Sequence, residues 1–195
     1  LQNIAAGTTV TFRYYASGQT TTGGWGFNSP SLALSNAYEP GDVRREATIL
    51  FVQTTPFTLW DGFVGSPTWN NPRYNYKAYQ SSIEESWNGD KGNTAKNLRI
   101  LKYSDILLIR AEAASELGMV TEATNRVNEI RVRAGLDELS TVTITDVYKE
   151  RRLEMAMEHD RWFDLVRTGQ ALSAMAANGK TFIVGTHERF PIPQD

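Results

Sequence analysis

The sequence contains no cysteine among its 195 residues. This absence excludes disulfide bonds, thiolate metal sites and cysteine nucleophiles together, although it does not identify a cellular compartment. Histidine is scarce as well, and the two that are present, His159 and His187, lack the spacing of metal ligands. We therefore expect no metal and no other cofactor.

A strong charge of one sign is also missing. The net charge is −2, from 20 Lys and Arg against 22 Asp and Glu, with no long run of either sign. The basic surface expected of a nucleic-acid-binding protein is therefore absent, and we expect no nucleic-acid partner. No apolar run approaches the roughly 18 residues of a membrane-spanning helix. What remains is the composition of an ordinary globular protein, with a hydrophobic share of 41% and an aromatic share of 11%.

The clearest pattern in the chain is a series of three predicted helices, near residues 103–117, 121–134 and 145–168. In the first helix, apolar residues recur every three or four positions, which places them on one face. These residues are Leu107, Leu108, Ala111, Ala114 and Leu117. Gly118 and Gly135 follow the first two helices and are placed to end each of them in a left-handed cap. The first two helices are therefore predicted to form a helical hairpin.

This hairpin follows the small-residue pattern of a tetratricopeptide repeat. Counted from Ser104, the positions that the repeat requires are occupied by Ala111, Gly118, Ala123 and Ile130. The small residues among them, Ala111, Gly118 and Ala123, let two helices approach closely. A single hairpin of this kind cannot bury its apolar face alone, so we expect further helices from elsewhere in the protein.

The third predicted helix carries opposite charges three residues apart, which are neighbours on a helix surface. The predicted pairs are Arg151/Glu154, Glu158/Arg161, Arg161/Asp164 and Asp164/Arg167. Large apolar side chains occupy much of the remaining circumference, so part of this charge ladder is predicted to be buried and paired. Tyr148, Met155, Trp162 and Phe163 are predicted to be buried beside it. We interpret the ladder as a structural network rather than as catalytic carboxylates.

The first half of the chain is predicted to be rich in loops. A short helix is predicted at residues 30–39 and a strand at residues 47–52, and from Gln53 to Gly92 proline, glycine and asparagine are interleaved with aromatic residues. Loops this long are usually functional or disordered, and the aromatic content argues against disorder. These aromatic residues either form a small additional core or provide a stacking surface for a carbohydrate.

Several motifs in the second half resemble a known family. They are A-E-A-A-S-E-L-G at 111–118, V-N-E-I-R-V-R-A-G-L at 127–136, E-R-R-L-E followed by R-W-F-D-L-V-R-T-G within 150–169, and R-F-P-I-P-Q at 189–194. In order and spacing they resemble the C-terminal signature of the SusD/RagB nutrient-binding lipoproteins. The resemblance implies a protein on the surface of the outer membrane, held by a lipid anchor that this chain lacks. It also implies a non-catalytic protein that binds oligosaccharides, or peptides in some members, and delivers them to a SusC-like TonB-dependent transporter.

The fold expected from these patterns is mainly α and SusD-like. It has a tetratricopeptide-like hairpin, a long C-terminal helix, and an irregular loop-rich region with a few short strands. Residues 1–195 are expected to form the C-terminal part of one SusD/RagB-like domain, truncated at both ends. Within it, residues 1–92 form the loop-rich ligand or packing region and residues 93–195 form the helical region.

Four aromatic residues are the predicted ligand-binding residues: Trp25, Trp60, Trp69 and Tyr74. A pyranose ring has an apolar C–H face and a polar rim, so a flat aromatic side chain can stack on that face. Two alternatives stay open. One is a helical-repeat scaffold that binds another protein, and the other is a glycosidase, which needs two carboxylates placed across a cleft.

Overall fold

A computed structural model describes residues 28–81, 83–84, 99–158 and 160–189. The chain divides into two compact units, Leu1–Ile100 and Leu101–Asp195. The predicted division between residues 92 and 93 falls outside the described residues and stays a prediction. Trp25 also lies outside them.

The first unit contains two short helices and two small antiparallel sheets. Its elements are α1 (Leu32–Ser35), α2 (Arg44–Thr48), β1 (Ile49–Phe51), β2 (Phe57–Thr58), β3 (Val64–Gly65) and β4 (Arg73–Asn75). β1 pairs with β4, with Leu50 opposite Tyr74, and β2 pairs with β3, with Phe57 opposite Gly65. The predicted strand at 47–52 is shorter than expected because α2 continues to Thr48.

An aromatic core holds these short strands together. The buried members are Leu50, Phe57, Leu59, Tyr74 and Tyr79, and the half-buried side chains packed on them are Val52, Phe63, Trp69 and Tyr76. The Trp69 ring meets the rings of Phe57 and Tyr74 edge to face, a favourable arrangement for aromatic pairs. Several aromatic residues of the predicted loop region therefore form a core, as one of the two alternatives expected.

The second unit is helical. Its elements are α3 (Tyr103–Glu116), α4 (Val120–Arg133), α5 (Ile144–Glu154), α6 (Arg161–Arg167) and α7 (Ala171–Ala177). The prediction of a mainly helical chain with a few short strands is confirmed. Within the described residues, no helix has both the length and the apolar character needed to cross a membrane.

The predicted hairpin is present as α3 and α4, and both predicted glycine caps are confirmed. Gly118 has φ +70° and Gly135 has φ +78°. After each of them, the next backbone N–H reaches back to the helix, from Met119 to the Ala114 carbonyl at 2.8 Å and from Leu136 to the Arg131 carbonyl at 3.0 Å. These are the hydrogen bonds of a Schellman motif, which satisfies the last carbonyl groups of a helix.

Small and branched residues fill the space between α3, α4 and α5. One cluster consists of Ala111, Val127, Val142 and Val147, and a second of Leu107, Leu108 and Ile130. Ala111 and Ala123 are fully buried, as the repeat pattern predicted for positions of close helix approach.

The prediction of one long helix over residues 145–168 is wrong. The chain forms α5 and α6 instead, and Met157 between them has φ +64°. A non-glycine residue in this left-handed region interrupts an α-helix. The interruption changes which faces of α6 are buried, so Phe163, predicted to be buried, is 62% exposed. Met155 is buried as predicted, whereas Tyr148 and Trp162 are half-buried.

Candidate functional site

A tight turn between β2 and β3 presents the most exposed aromatic side chain of the first unit's described residues. The Gly62 N–H donates to the Leu59 carbonyl at 3.0 Å, and the Leu59 N–H donates to the Phe63 carbonyl at 2.8 Å. Gly62 has φ +85°, a conformation that glycine adopts without steric cost. A turn followed by a left-handed glycine is a common three-residue hairpin connection. Along this turn Leu59 and Asp61 are buried and Trp60, between them, is exposed.

Trp60 is 65% exposed. Its indole stands at 85° to the ring of Tyr79, with the two centroids 6.3 Å apart. This perpendicular contact supports the indole while most of its surface stays in solvent. A supported, exposed indole is suited to stacking on the apolar face of a sugar ring.

The carboxylate of Asp61 lies beneath this turn and is hydrogen-bonded by several donors. The Tyr79 hydroxyl donates to Oδ2 at 2.6 Å and the Phe63 N–H donates to Oδ1 at 3.1 Å. The Ser81 hydroxyl is a further hydrogen-bond partner. Burial raises the pKa of Asp61, but the hydrogen bonds from Ser81, Tyr79 and Phe63 outweigh it, so the pKa is lowered. Asp61 is therefore ionised at neutral pH and is not suited to act as a general acid.

Tyr76 is a further polar group near the turn. Burial raises the pKa of Tyr76 and the charge of Asp61 raises it further, whereas a hydrogen bond with the Trp60 backbone opposes both effects. Its hydroxyl is consequently protonated at neutral pH. Tyr76 also packs edge-on against Tyr79, with the centroids 5.5 Å apart.

Trp69, the second tryptophan predicted to bind ligand, lies at the edge of the aromatic core. Its ring meets Phe57 at 5.5 Å and Tyr74 at 5.6 Å, both nearly perpendicular, and lies at 28° to Phe63 with centroids 6.4 Å apart. Trp69 is half-buried. Part of its surface therefore remains accessible, although most of its contacts are structural.

Tyr74, also predicted to bind ligand, is a core residue. It is 5% exposed, and its hydroxyl accepts a hydrogen bond from the Asn71 N–H at 3.2 Å. Its ring thus offers no face for stacking. Of the four predicted residues, the structure places Trp60 in solvent, Trp69 at the core edge and Tyr74 inside.

Asp61, Tyr76 and Tyr79 were not among the predicted site residues. A signal for the turn was present in the sequence, because the Asp61-Gly62 pair between short apolar segments is typical of a hairpin connection. No local pattern indicated that Tyr79 reaches back to this turn.

A hollow of about 420 Å³ lies beside α1 and α2. Arg45 lines it and already pairs with Glu46 at 2.6 Å, and the Arg45 guanidinium lies 4.3 Å from the centroid of the Phe51 ring. Asp42, also in the lining, is paired with Arg44 at 2.7 Å. These charged groups are therefore engaged within the protein.

The charge ladder of the second unit is paired, as predicted for Arg151, Glu154, Glu158 and Asp164. Several of the partners lie far away in the sequence, whereas the spacing predicted partners three residues along the same helix. Their contacts are Arg151 with Asp105 and with Asp164 at 2.9 Å, Glu154 with Arg133 at 2.6 Å, Glu158 with Lys102 at 2.7 Å, and Asp164 with Arg167 at 2.8 Å. The pair Asp164/Arg167 is among those predicted along the helix.

The pairing favours a structural role for these charges, because each of the four predicted ladder residues named above has a protein partner. In the part of the chain that the structure describes, no group of three or more His, Cys, Asp and Glu residues is placed to hold a metal ion.

The sequence model of the SusD family matches residues 2–190. Among curated proteins, SusD-like protein P38 of Formosa agariphila is 40% identical over 99 residues, which is 44% of this chain and 20% of that protein. SusD-like protein P2 of the same organism is 28% identical over 179 residues, which is 80% of this chain and 34% of that protein. The chain thus spans about a fifth to a third of the length of these relatives.

The chain is also similar to solved structures of SusD-like proteins. A laminarin-binding SusD-like protein superposes with a TM-score of 0.71 and 32% identity, over 88% of this chain and 36% of that one. Surface glycan-binding protein A from Bacteroides thetaiotaomicron, in complex with laminarihexaose, superposes with a TM-score of 0.61 and 26% identity, over 83% of this chain and 37% of that one.

Proposed function

The chain belongs to the SusD/RagB family, and from this membership and the exposed Trp60 we propose that it binds oligosaccharides without cleaving them. Two structurally similar proteins are described as binding laminarin or laminarihexaose. Laminarihexaose is therefore the first ligand that we propose for this chain. The absence of catalysis is part of the proposal.

The observation that carries the proposal is the exposure of Trp60 on a hydrogen-bonded turn. The ring is supported by Tyr79 on one side and stands in solvent otherwise, the arrangement that stacking on a pyranose requires. We propose Trp60 as the principal stacking residue and the accessible part of Trp69 as a second. Trp25 remains a proposed third.

The expected affinity is low. One aromatic stacking contact contributes on the order of 1 kcal/mol. Two or three such contacts, together with hydrogen bonds to the sugar hydroxyls, are expected to give a total of about 4–6 kcal/mol, which corresponds to a dissociation constant from about 1 mM to tens of µM. Weak binding suits a protein that passes its ligand on, because affinity differences of this kind appear mainly in the dissociation rate.

We further propose that the protein is a lipoprotein on the surface of the outer membrane and delivers its ligand to a SusC-like TonB-dependent transporter. Family membership supports this proposal. Attachment through a lipid would place the binding turn outside the cell, where nutrient oligosaccharides are available.

A second candidate function is a scaffold that binds another protein. The observation that favours it is the apolar surface of α3, on which Tyr103, Ile106 and Ile109 are exposed. Exposed apolar surface of this kind often marks an interaction site. A family member that binds peptides would also fit the fold.

Isothermal titration of the protein with laminarihexaose, other oligosaccharides and a peptide panel tests the proposed function. Trp60→Ala should weaken oligosaccharide binding about fivefold or more, because it removes a whole stacking ring. Phe163→Ala is the matched control, since Phe163 is also an exposed aromatic residue but lies in the helical unit.

Three outcomes would contradict the proposal. Equal affinity of Trp60→Ala and wild type excludes Trp60 as the stacking residue. Binding of peptides in place of sugars excludes the oligosaccharide assignment. Shortened sugars in the titration cell show that the protein is an enzyme.

A further inference from the structure

We infer that Asp61 and Tyr79 are positioning residues, which hold the Trp60 ring for the ligand without contacting the ligand themselves. The binding part of this inference rests on the proposed function. Its structural part, that the Trp60 ring is immobilised by these two residues, does not.

The contacts among Trp60, Asp61 and Tyr79 form a closed circuit, in which each of the three residues is joined to the other two. Asp61 follows Trp60 directly in the chain, and its Oδ2 accepts a hydrogen bond from the Tyr79 hydroxyl at 2.6 Å. The ring of Tyr79 stands against the Trp60 indole at 85°. Any large rotation of the indole toward the protein must displace the Tyr79 ring and stretch its hydrogen bond to Asp61. The position of the Trp60 side chain therefore depends on the backbone of the turn, through Tyr79 and Asp61.

The circuit is fixed on the other side by Ser81. This fully buried residue hydrogen-bonds to Asp61, and its Oγ accepts from the N–H groups of Ile83 at 3.1 Å and Glu84 at 2.8 Å. The turn itself is fixed by the Phe63 N–H, which donates to Asp61 Oδ1. One carboxylate thus ties together the turn, the ring that supports Trp60 and the segment that begins at Ser81.

Such an arrangement affects affinity through pre-organisation. A ligand that stacks on a free indole must pay for fixing its rotamers, whereas a ring that is already fixed carries no such cost. Loss of the circuit is therefore expected to weaken binding about 3- to 10-fold while every ligand contact remains possible. Tyr79 and Asp61 are buried, so a direct contact with the ligand does not explain such an effect.

The test compares three variants of the protein with the wild type. Tyr79→Phe removes only the hydroxyl, and Asp61→Ala removes the whole acceptor. Asp61→Asn keeps a carbonyl acceptor, so it should fix the Trp60 ring better, and bind the ligand more tightly, than Asp61→Ala. Tyr148→Phe, a change to a half-buried tyrosine in α5, is the matched control. Two quantities are measured well below the unfolding temperature: the ¹⁵N order parameter of the Trp60 indole N–H and the affinity for laminarihexaose.

In Tyr79→Phe the order parameter of the Trp60 indole should fall toward about 0.6 or below, the range of flexible groups, and affinity should fall with it. Tyr148→Phe should change neither quantity. An unchanged order parameter in Tyr79→Phe and Asp61→Ala overturns the inference, even if the variants unfold at lower temperature. A mobile indole with unchanged affinity overturns its binding part. If the wild type binds no oligosaccharide, the proposed function fails, while the order parameter still decides whether Asp61 and Tyr79 position the ring.

Discussion

Arg151 is the ladder residue of the helical unit whose charge is buried between two carboxylates. Its guanidinium is buried in contact with Asp105 on α3 and Asp164 on α6, and Asp164 also accepts from Arg167. A buried charge is tolerated only when it is paired and hydrogen-bonded, because removal from water is costly. Arg151 therefore links three helices through one side chain, which a solvated charge does not do.

Replacing Arg151 with leucine should destabilise the helical unit by about 3–5 kcal/mol, because it leaves Asp105 buried without its cation. Urea unfolding followed by helical circular dichroism measures this loss. The control is Arg126→Ala, whose partners Glu122 and Glu129 are partly exposed, and which should cost at most about 1 kcal/mol.

A second substitution separates charge from packing. Adding Asp105→Asn to Arg151→Leu removes the uncompensated carboxylate, so the double variant should recover part of the lost stability. If Arg151→Leu costs no more than the control, the pairing seen around Arg151 contributes no net stability.

At the scale of the secondary-structure elements, the β2–β3 hairpin depends on the close approach of Phe57 and Gly65. These residues are direct partners in the strand pairing, and the Phe57 ring lies over the Gly65 backbone. A methyl group on residue 65 would overlap three carbon atoms of that ring. The ring cannot move freely because it packs on Trp69.

Gly65→Ala should therefore destabilise the first unit by about 1–3 kcal/mol through overpacking. Near-ultraviolet circular dichroism during urea unfolding follows the aromatic core directly. Val64→Ala, at the exposed neighbouring strand position, is the control and should stay within about 0.5 kcal/mol of the wild type. A Gly65→Ala protein that unfolds at the wild-type urea concentration would show that Phe57 moves aside without cost.

The elements also show which features the sequence could predict. The α3–α4 hairpin and its glycine caps follow from local spacing, and their prediction is confirmed. The interruption between α5 and α6 carries no proline or glycine, and the charge spacing continues across it, so the sequence pattern favoured one continuous helix. The pairing of Arg151 with Asp105 joins residues far apart in the chain, which no local pattern reveals.

The same limit applies to the candidate site. Trp60 and Trp69 both occur in the aromatic, loop-rich stretch and could not be distinguished there. Trp60 occupies the exposed position of a hairpin turn, whereas Trp69 meets Phe57, Phe63 and Tyr74 across two sheets. Their difference in exposure thus comes from tertiary contacts, and so does the support of Trp60 by Tyr79.

At the scale of the whole molecule, each compact unit has a core of a different kind. The first unit is held by aromatic rings packed around short strands, and in the second unit small and branched side chains fill the space between α3, α4 and α5. In the second unit, α3 is apolar on two sides. Leu117, predicted on the buried face with Leu107, is 75% exposed at the C-cap of α3, so that prediction is wrong. One side of α3 is buried in the core, and the opposite side carries Ile106 and Ile109, both exposed. Such a two-sided helix is typical of repeat proteins, in which neighbouring helices cover both sides.

The exposed side of α3 gives a prediction for the 195-residue chain in solution. Contact between apolar surfaces removes them from water, which is favourable by about 25 cal/mol per Å² buried. The chain should therefore bind a hydrophobic dye and elute from gel filtration ahead of a monomer.

The double substitution Ile106→Glu and Ile109→Glu should reduce dye fluorescence by about half or more and shift elution toward the monomer, because it divides the apolar patch with charge. Val43→Glu changes an equally exposed but separate apolar residue in the first unit and should leave both measurements unchanged. A wild-type chain that is monomeric and does not bind the dye would show that the α3 surface is too small or too polar to act as an interaction face, and the scaffold alternative would lose its support.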